Sequence, residues 1–329
     1  METKAVSSLN MNISRIGLGT WAIGGFMWGG TDEMESLNTI RTALDKGINL
    51  IDTAPVYGFG KSENIVGKAI TSAGARDKVH ISTKAGLEWD DGGVQRNSTQ
   101  VRIMKEVDES LKRLKTDYID IYFIHWPDPA VPFEETAEAV NQIYKQGKIR
   151  AVGVSNYSPK QMDAFRNVAP VQVCQPPYNI FERGIEDDVK PYCENNGIAL
   201  MTYGVLCRGL LTGKITKNSE FTGDDLRKLD PKFKPPLLEN YMKTVDLLDN
   251  FARDNFGKSV IHLAARWALD KGMDIALWGA RRPDQLDALD DVMGWKMDKD
   301  ALSEIENIVK NNIPNEVNDP DFMAPPARI

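Results

Sequence analysis

The sequence predicts an α/β chain folded as a closed (β/α)8 barrel, a TIM barrel with extra helices and a C-terminal loop over one mouth. Short β-branched runs alternate with amphipathic helical stretches along the whole chain, which argues a parallel sheet. Eight such units occur in 329 residues, a number and size that suit a closed barrel better than an open sheet. No short-period repeat or interdomain linker interrupts them, so a single domain over residues 1–329 is expected.

The elements follow in order. The first buried run is 15–19, and a helix over 35–46 comes next. Leu37, Ile40, Ala43 and Leu44 share one face of that helix and Gly47 stops it. Run 48–51 precedes a helix over 62–73, and run 79–83 precedes a polar segment at 88–99 and a helix over 101–114. Run 119–124 leads to a helix over 134–146, closed by Gly147. Run 149–154 is followed by helix 159–167, and run 171–174 by helix 186–195, ended at Gly197. Run 198–202 gives way to a long polar segment with several prolines at 214–236. Helices over 239–256 and 259–270 precede the eighth run, 273–277. Pro283 opens another helix and the last spans 299–311. Residues 315–329, rich in proline, read as a loop, either a free tail or a flap over the barrel mouth.

Composition narrows the function. The chain is 42% hydrophobic and 26% charged, near the average for a soluble globular protein. Its net charge of -7 argues against nucleic acid as the main partner. Cys174, Cys193 and Cys207 are far apart and form no C-x-x-C, so neither a disulfide framework nor a zinc ribbon is expected, and a reducing cytoplasm is the simplest setting. No run approaches the roughly 20 apolar residues a membrane span needs. With His80, His125 and His262 as its only histidines, the chain is expected to hold no metal. Nothing demands more than a monomer.

Three motif matches fail on inspection. Gly17-Leu-Gly19-Thr-Trp-Ala22 fits the dinucleotide fingerprint, but that motif needs a helix to open there. The chain continues instead through Ile23, Gly24 and Gly25, which disfavour one. Gly60-Lys-Ser62 and Gly257-Lys-Ser259 resemble the end of a phosphate loop, yet Pro55 and Ala252 stand where its first glycine belongs.

The chemistry concentrates after strands two to four. Asp52 ends a hydrophobic run and Tyr57 lies in the Pro- and Gly-rich turn beyond it. Lys84 follows the third run and His125 the fourth. All strand C-termini of such a barrel share one face, so neighbouring strands would deliver these groups into one pocket. A phenol titrates near 10, too high for an efficient acid near neutrality. An ammonium about 4 Å away would stabilise phenolate by about 4 kcal/mol at an effective dielectric of 20, lowering that value. Asp52 would keep Lys84 charged and aimed, and His125 would orient a carbonyl oxygen. Such a set can protonate a carbonyl oxygen but lacks a hydride source, which must be a cofactor. A Schiff-base isomerase or aldolase using Lys84, and a cofactor-binding regulatory subunit, are the rival readings.

These residues carry a resemblance. The chain resembles the aldo-keto reductases over essentially its whole length, through Gly17-Leu-Gly-Thr-Trp21, Asp52-Thr-Ala-x-x-Tyr57-Gly with Ser62-Glu63, Thr83-Lys84, Leu111-x-Arg-Leu-x-x-Asp-Tyr-Ile-Asp-Ile-Tyr122, His125-Trp-Pro-Asp128, Gly147-Lys-Ile-Arg-Ala-Val-Gly-Val-Ser-Asn156 and Gly279-Ala-Arg281. The segment Leu206-Cys-Arg-Gly-Leu-Leu-Thr-Gly-Lys214 and the ending Phe322-Met-Ala-Pro-Pro-Ala-Arg328 resemble the bacterial branch with the Bacillus general stress reductases and related glyceraldehyde or polyol reductases.

The resemblance implies Tyr57 as proton donor supported by Asp52, Lys84 and His125, and NADP(H) extended across the barrel mouth. It implies that Gly19, Thr20, Trp21 and Asp52 flank the cofactor, that Ser155, Asn156 and Gln175 bind the nicotinamide amide, and that Tyr203 stacks on its ring. Gly204, Val205, Leu206, Cys207, Arg208 and Lys214 would wrap the pyrophosphate, with Gly279, Ala280, Arg281 and Gln285 at the far phosphate site. Basic groups favour a 2′-phosphate; Arg281, Lys214 and Arg227 are the candidates, although Arg227 sits in a loop where it is equally well solvated. Leu289 departs from the family, whose members often carry an adenine-binding Asn there. Trp21, Trp28, Trp89 and Trp126 would line a pocket for small aldehydes or sugar-like carbonyls.

Overall fold

The computed structural model describes residues 1–313, 317 and 322–328. A two-stranded hairpin, β1 (Thr3–Val6) and β2 (Met11–Ser14), comes first. The barrel strands then begin with β3 (Ile16–Gly19), β4 (Leu50–Asp52) and β5 (His80–Ala85). A second hairpin, β6 (Leu87–Asp90) and β7 (Gly93–Arg96), rises from the end of β5. The remaining barrel strands are β8 (Ile121–Ile124), β9 (Val152–Ser155), β10 (Val173–Gln175), β11 (Ala199–Thr202) and β12 (Ile275–Gly279). These eight close in the order β10-β11-β12-β3-β4-β5-β8-β9, with neighbouring strands parallel. The expected closed barrel is therefore the observed one.

The helices alternate with the strands. They are the single turn α1 (Trp21–Gly24), then α2 (Glu33–Asp45), α3 (Lys61–Ala73), α4 (Gln100–Leu114), α5 (Phe133–Lys145), α6 (Pro159–Arg166), α7 (Val189–Asn196), α8 (Leu237–Phe256), α9 (Val260–Asp270) and α10 (Lys299–Asn312). No helix among the described residues is long and apolar enough to cross a membrane. The stretch Pro283–Asp291 winds as a 3-10 helix.

Two apolar layers hold the barrel. Outward side chains of the strands pack on the helices in one large cluster. Inward ones, including Leu50, Ile121, Phe123, Val173, Met201 and Leu277, fill the interior together with Val6, Leu9 and Ile13 of the first hairpin. That hairpin therefore plugs the end away from the strand C-termini. Gly153 makes the interior possible, because a Cβ there would lie 2.4 Å from the Phe123 ring.

The hydrophobic pattern located all eight barrel strands. It missed both hairpins, and the second lies in the segment read as a plain polar loop. Asp91-Gly92 between Trp89 and Val94 was a usable hairpin signal. It also gave no helix after Gly19, where one turn forms and ends at Gly25 with φ 86°. Four residues suit a glycine-rich stop, not a phosphate-binding helix.

Candidate active site

Tyr57 is set by backbone contact. Its carbonyl lies against Gly24, where an added Cβ would meet it at 2.5 Å, and Gly58 (φ 67°) would meet the Gly24 oxygen at 2.2 Å. The turn after β4 therefore stacks directly on the C-terminal end of α1. Trp21 stacks on the Tyr57 ring at 5.9 Å and 19°, and His125 meets it edge-on at 5.8 Å and 80°.

Beneath this pair lies a buried ion pair. Lys84 Nζ donates to Asp52 Oδ2 at 2.6 Å and to the Thr53 carbonyl at 2.9 Å, with side-chain exposures of 1% and 4%. Asp52 Oδ1 accepts from Ser82 Oγ at 2.7 Å and Gln175 Nε2 at 3.0 Å. Lys84 lies inside β5, one pleat beyond Ser82, so both point into the barrel. Lys84 Nζ is 4.9 Å from the Tyr57 ring centre. The four candidate catalytic groups thus converge, as the strand positions required.

Their electrostatics correct one expectation. Burial pushes the Tyr57 phenol well above its usual range, and the Asp52 charge adds to this. Lys84 does not make the phenol acidic, because its ammonium is compensated by Asp52 and the pair presents little net charge to Tyr57. Burial lowers Lys84 itself while Asp52 pulls it back up. Burial, then the Lys84 charge, holds His125 well below its usual value, so the imidazole is neutral near pH 7. The bonds from Lys84 Nζ to Asp52 and Thr53 also leave it poorly placed as a Schiff-base nucleophile.

Above these groups opens a cavity of about 1010 Å³. It runs from Asp52 and His125, past Ser155, Asn156, Gln175 and Tyr203, to Lys214, Arg227, Arg281 and Gln285. Gly19, Thr20, Trp21, Gly204, Val205, Leu206, Gly279 and Ala280 also line it. Thr20 Oγ1 donates to the Asp52 carbonyl at 2.8 Å. The Tyr203 hydroxyl donates to Asn156 Oδ1 at 2.9 Å, which fixes that ring. Asn156 Nδ2 donates to the His125 carbonyl at 2.9 Å, and Ser155 Oγ to that of Gln175 at 2.8 Å.

The donor set fits a nicotinamide dinucleotide. Amide and hydroxyl groups stand beside the acid–base cluster, and cations stand at the other end. The buried indole N–H of Trp28, on the same wall, has no hydrogen-bond partner among the described residues. Gln285 Oε1 accepts from the backbone N–H groups of Arg281 (2.9 Å) and Arg282 (3.2 Å), where an anion would otherwise bind.

Several expected contacts are placed differently. Cys207 does not line the cavity; it is fully buried, at φ 47°, and packs inward. Arg208 is committed to Asp230 at 2.6 Å and Glu182 at 2.5 Å, so its charge is neutralised before any phosphate arrives. Arg227 is not solvated: it pairs with Asp225 at 2.6 Å and lies over the rings of Phe221 and Trp28. Leu289 is core. Trp21 and Trp28 line the cavity, whereas Trp89 and Trp126 pack behind it. Of the C-terminal segment, Phe322 to Pro325 lie on the cavity wall; 314–316, 318–321 and 329 fall outside the described residues. Sequence reasoning missed Ser82 and the acids Glu182 and Asp230, whose partners lie on other segments, and Asp225, which pairs with Arg227 two residues along its own segment.

Known proteins are similar to this chain in sequence and fold. The chain is 56% identical to "Aldo-keto reductase YhdN" of Bacillus subtilis (strain 168) over 329 residues, covering 100% of this chain and 99% of that one. It is 36% identical to the "NADH-specific methylglyoxal reductase" of Escherichia coli (strain K12) over 304 residues, 87% of this chain and 91% of that one. The solved glycerol dehydrogenase AKR11B4 from Gluconobacter oxydans superposes with a TM-score of 0.88 at 48% identity, over 98% and 99% of the two chains. AKR11C1 from Bacillus halodurans, in its holo form, gives 0.77 at 25% identity, over 94% and 96%. The profile described as "Aldo/keto reductase family" matches residues 15–310, and the chain belongs to that family.

Proposed function

We propose that this oxidoreductase reduces aldehyde, ketone or sugar-type carbonyls to alcohols with NADPH, and that Tyr57 is the proton donor. The observation that carries the proposal is the Asp52–Lys84 pair buried at 2.6 Å beneath Tyr57, at the floor of a dinucleotide-sized cavity. Bound NADPH would supply the hydride. Neutral His125 would donate one N–H to the carbonyl oxygen and hold it beside the Tyr57 hydroxyl. Tyr57 keeps its proton at all ordinary pH, so it stands ready to give it to the alkoxide, a stronger base than phenolate. Lys84 and Asp52 would provide a fixed dipole beneath the phenol as negative charge develops on it. Ser155, Asn156 and Gln175 would hold the carboxamide, and Tyr203 the ring face.

The preference for NADPH is supported by crowding of cations. Arg281 is lowered by burial and then by repulsion from Arg282 and Arg227. A 2′-phosphate set among these guanidinium groups would relieve that repulsion. The Escherichia coli relative is named as NADH-specific, so the two cofactors must be compared directly. The Gluconobacter relative is named for glycerol oxidation, and the same residues would serve that direction by microscopic reversibility. The setting proposed is a cytoplasmic monomer acting on small molecules. The test is loss of NADPH absorbance on mixing with a panel of aldehydes. Cofactor binding without turnover would favour a regulatory subunit, and no binding would remove the reading.

A further inference from the structure

The two halves of the cavity differ in chemistry. The cations on its rim, including Lys214, Arg227 and Arg281, follow β11 and β12. On the opposite side, after β4 and β5, the wall near Tyr57 is made by Val56, Leu87, Val94, Met323 and Pro325, all apolar. Ala54, Trp89 and Trp126 pack behind it in the same cluster.

Among the described residues, Arg102 and Arg96 lie on this side and neither lines the cavity. Arg102 donates to the Leu87 carbonyl at 2.9 Å and pairs with Glu106. Arg96 ends β7. Its Nε donates to the Pro325 carbonyl at 2.7 Å, its Nη1 to the Pro127 carbonyl at 2.8 Å, and its backbone N–H to the Pro326 carbonyl at 2.9 Å. Arg96 also forms a parallel bridge with Ala327, and its guanidinium lies 5.5 Å from the Trp126 ring. Among the described residues it has no carboxylate partner. One side chain thus joins the second hairpin, the loop after β8 and the C-terminal segment, and holds Met323 and Pro325 against the mouth.

We propose that Arg96 is a positioning residue that fixes an uncharged substrate wall, and that the substrate is a neutral carbonyl compound with an apolar or aromatic substituent. The inference rests on the reductase reading above. A carboxylate or phosphate on the substrate would lose water against this wall and meet no cation there. An apolar substituent loses nothing by the same move. Arg96 supports the wall through a planar fork that spans two carbonyls, a geometry lysine cannot reproduce.

The test uses the full chain, saturating NADPH, and benzaldehyde beside 4-carboxybenzaldehyde. The carboxylate is expected to lower kcat/KM about 100-fold, mostly through KM. Arg96→Ala should raise KM for benzaldehyde about tenfold, with kcat and NADPH affinity (by fluorescence quenching) each within about threefold. Arg96→Lys should behave like the alanine variant. Met323→Ala should raise KM in the parent but add nothing in the Arg96→Ala background, because the segment has already left the wall. Equal kcat/KM for the two aldehydes would overturn this inference alone, as would rescue by lysine, additive effects, or a change confined to kcat or cofactor affinity. No turnover of either aldehyde, with NADPH bound, would overturn the reductase reading and this inference with it.

Discussion

Replacing Asp52 by Asn tests whether the buried pair governs the site. Unit charges 2.6 Å apart attract by about 6 kcal/mol at an effective dielectric of 20, but both ions have been taken out of water. The net effect of removing one partner from such a pair is a loss of about 3–5 kcal/mol. Asp52→Asn should reach that range, because Lys84 loses its carboxylate partner at 2.6 Å and is left with neutral oxygens, the Thr53 carbonyl and the new amide. Lys84→Met should lose less, about 2 kcal/mol, since Asp52 still accepts from Ser82 and Gln175.

The double variant carries no charge into the barrel and should be more stable than Asp52→Asn alone. An unfolding entropy of about 2.1 cal/mol/K per residue gives a chain of 329 residues about 0.7 kcal/mol/K, so ~4 kcal/mol lowers Tm by about 6 °C. Thermal unfolding of the three variants reads the order directly. Turnover should fall by at least about 100-fold in each. An Asp52→Asn variant within about 2 °C of the parent, or a double variant less stable than both singles, would refute the reasoning.

Three other outcomes are expected. Tyr57→Phe should lower kcat by at least about 100-fold while NADPH affinity, read by fluorescence titration, stays within a few-fold; retained turnover removes Tyr57 from its role. Arg281→Ala should weaken NADPH far more than NADH in the same titration, and an equal loss for both means that it does not read the phosphate. Glu106 supplies a pH signature. Burial pushes its carboxyl up to about 7, against the pull of Arg102 and the Gly86 N–H, whereas an unfolded carboxyl titrates near 4.5. The native state therefore holds this proton more tightly. Its contribution is present below about pH 4.5 and is lost by about pH 7, a fall of about 3 kcal/mol. Denaturation midpoints at about pH 5 and pH 8 should show that fall, and Glu106→Gln should flatten it.

The barrel was legible because its strands are largely buried on both faces and most read as short apolar or β-branched runs. The catalytic cluster was legible for a related reason: Asp52, Lys84 and His125 are costly residues at the ends of such runs. The hairpins were not legible by periodicity, since β1 and β2 are partly exposed and β6 and β7 carry mixed polar residues. The sign of the Tyr57 shift was unreadable as well. It depends on how closely Asp52 compensates Lys84, and that closeness comes in part from Ser82 and Gln175, which no local pattern ties to position 52.

Arg208 shows why a cation's role cannot be read from its own segment. Its neighbours suggested a phosphate ligand, but its acids lie on the loop after β10 and in the segment 214–236. Glu182 also binds Lys232 at 2.8 Å and Asn179 at 2.7 Å, and Asn179 reaches the Gly204 carbonyl at 3.0 Å. This network surrounds a backbone that is unfavourable by itself. Cys207, Arg208 and Gly209 have φ of 47°, 54° and 93°, and each of the two non-glycine residues costs about 1–3 kcal/mol there. Charges neutralised in pairs hold that turn without adding net charge beside it. Of the cavity-wall arginines Arg208, Arg227 and Arg281, the first two are thus paired with acids, whereas Arg281 donates only to the Trp28 and Gly30 carbonyls and has no carboxylate partner among the described residues, so an entering anion meets its strongest unsatisfied attraction there.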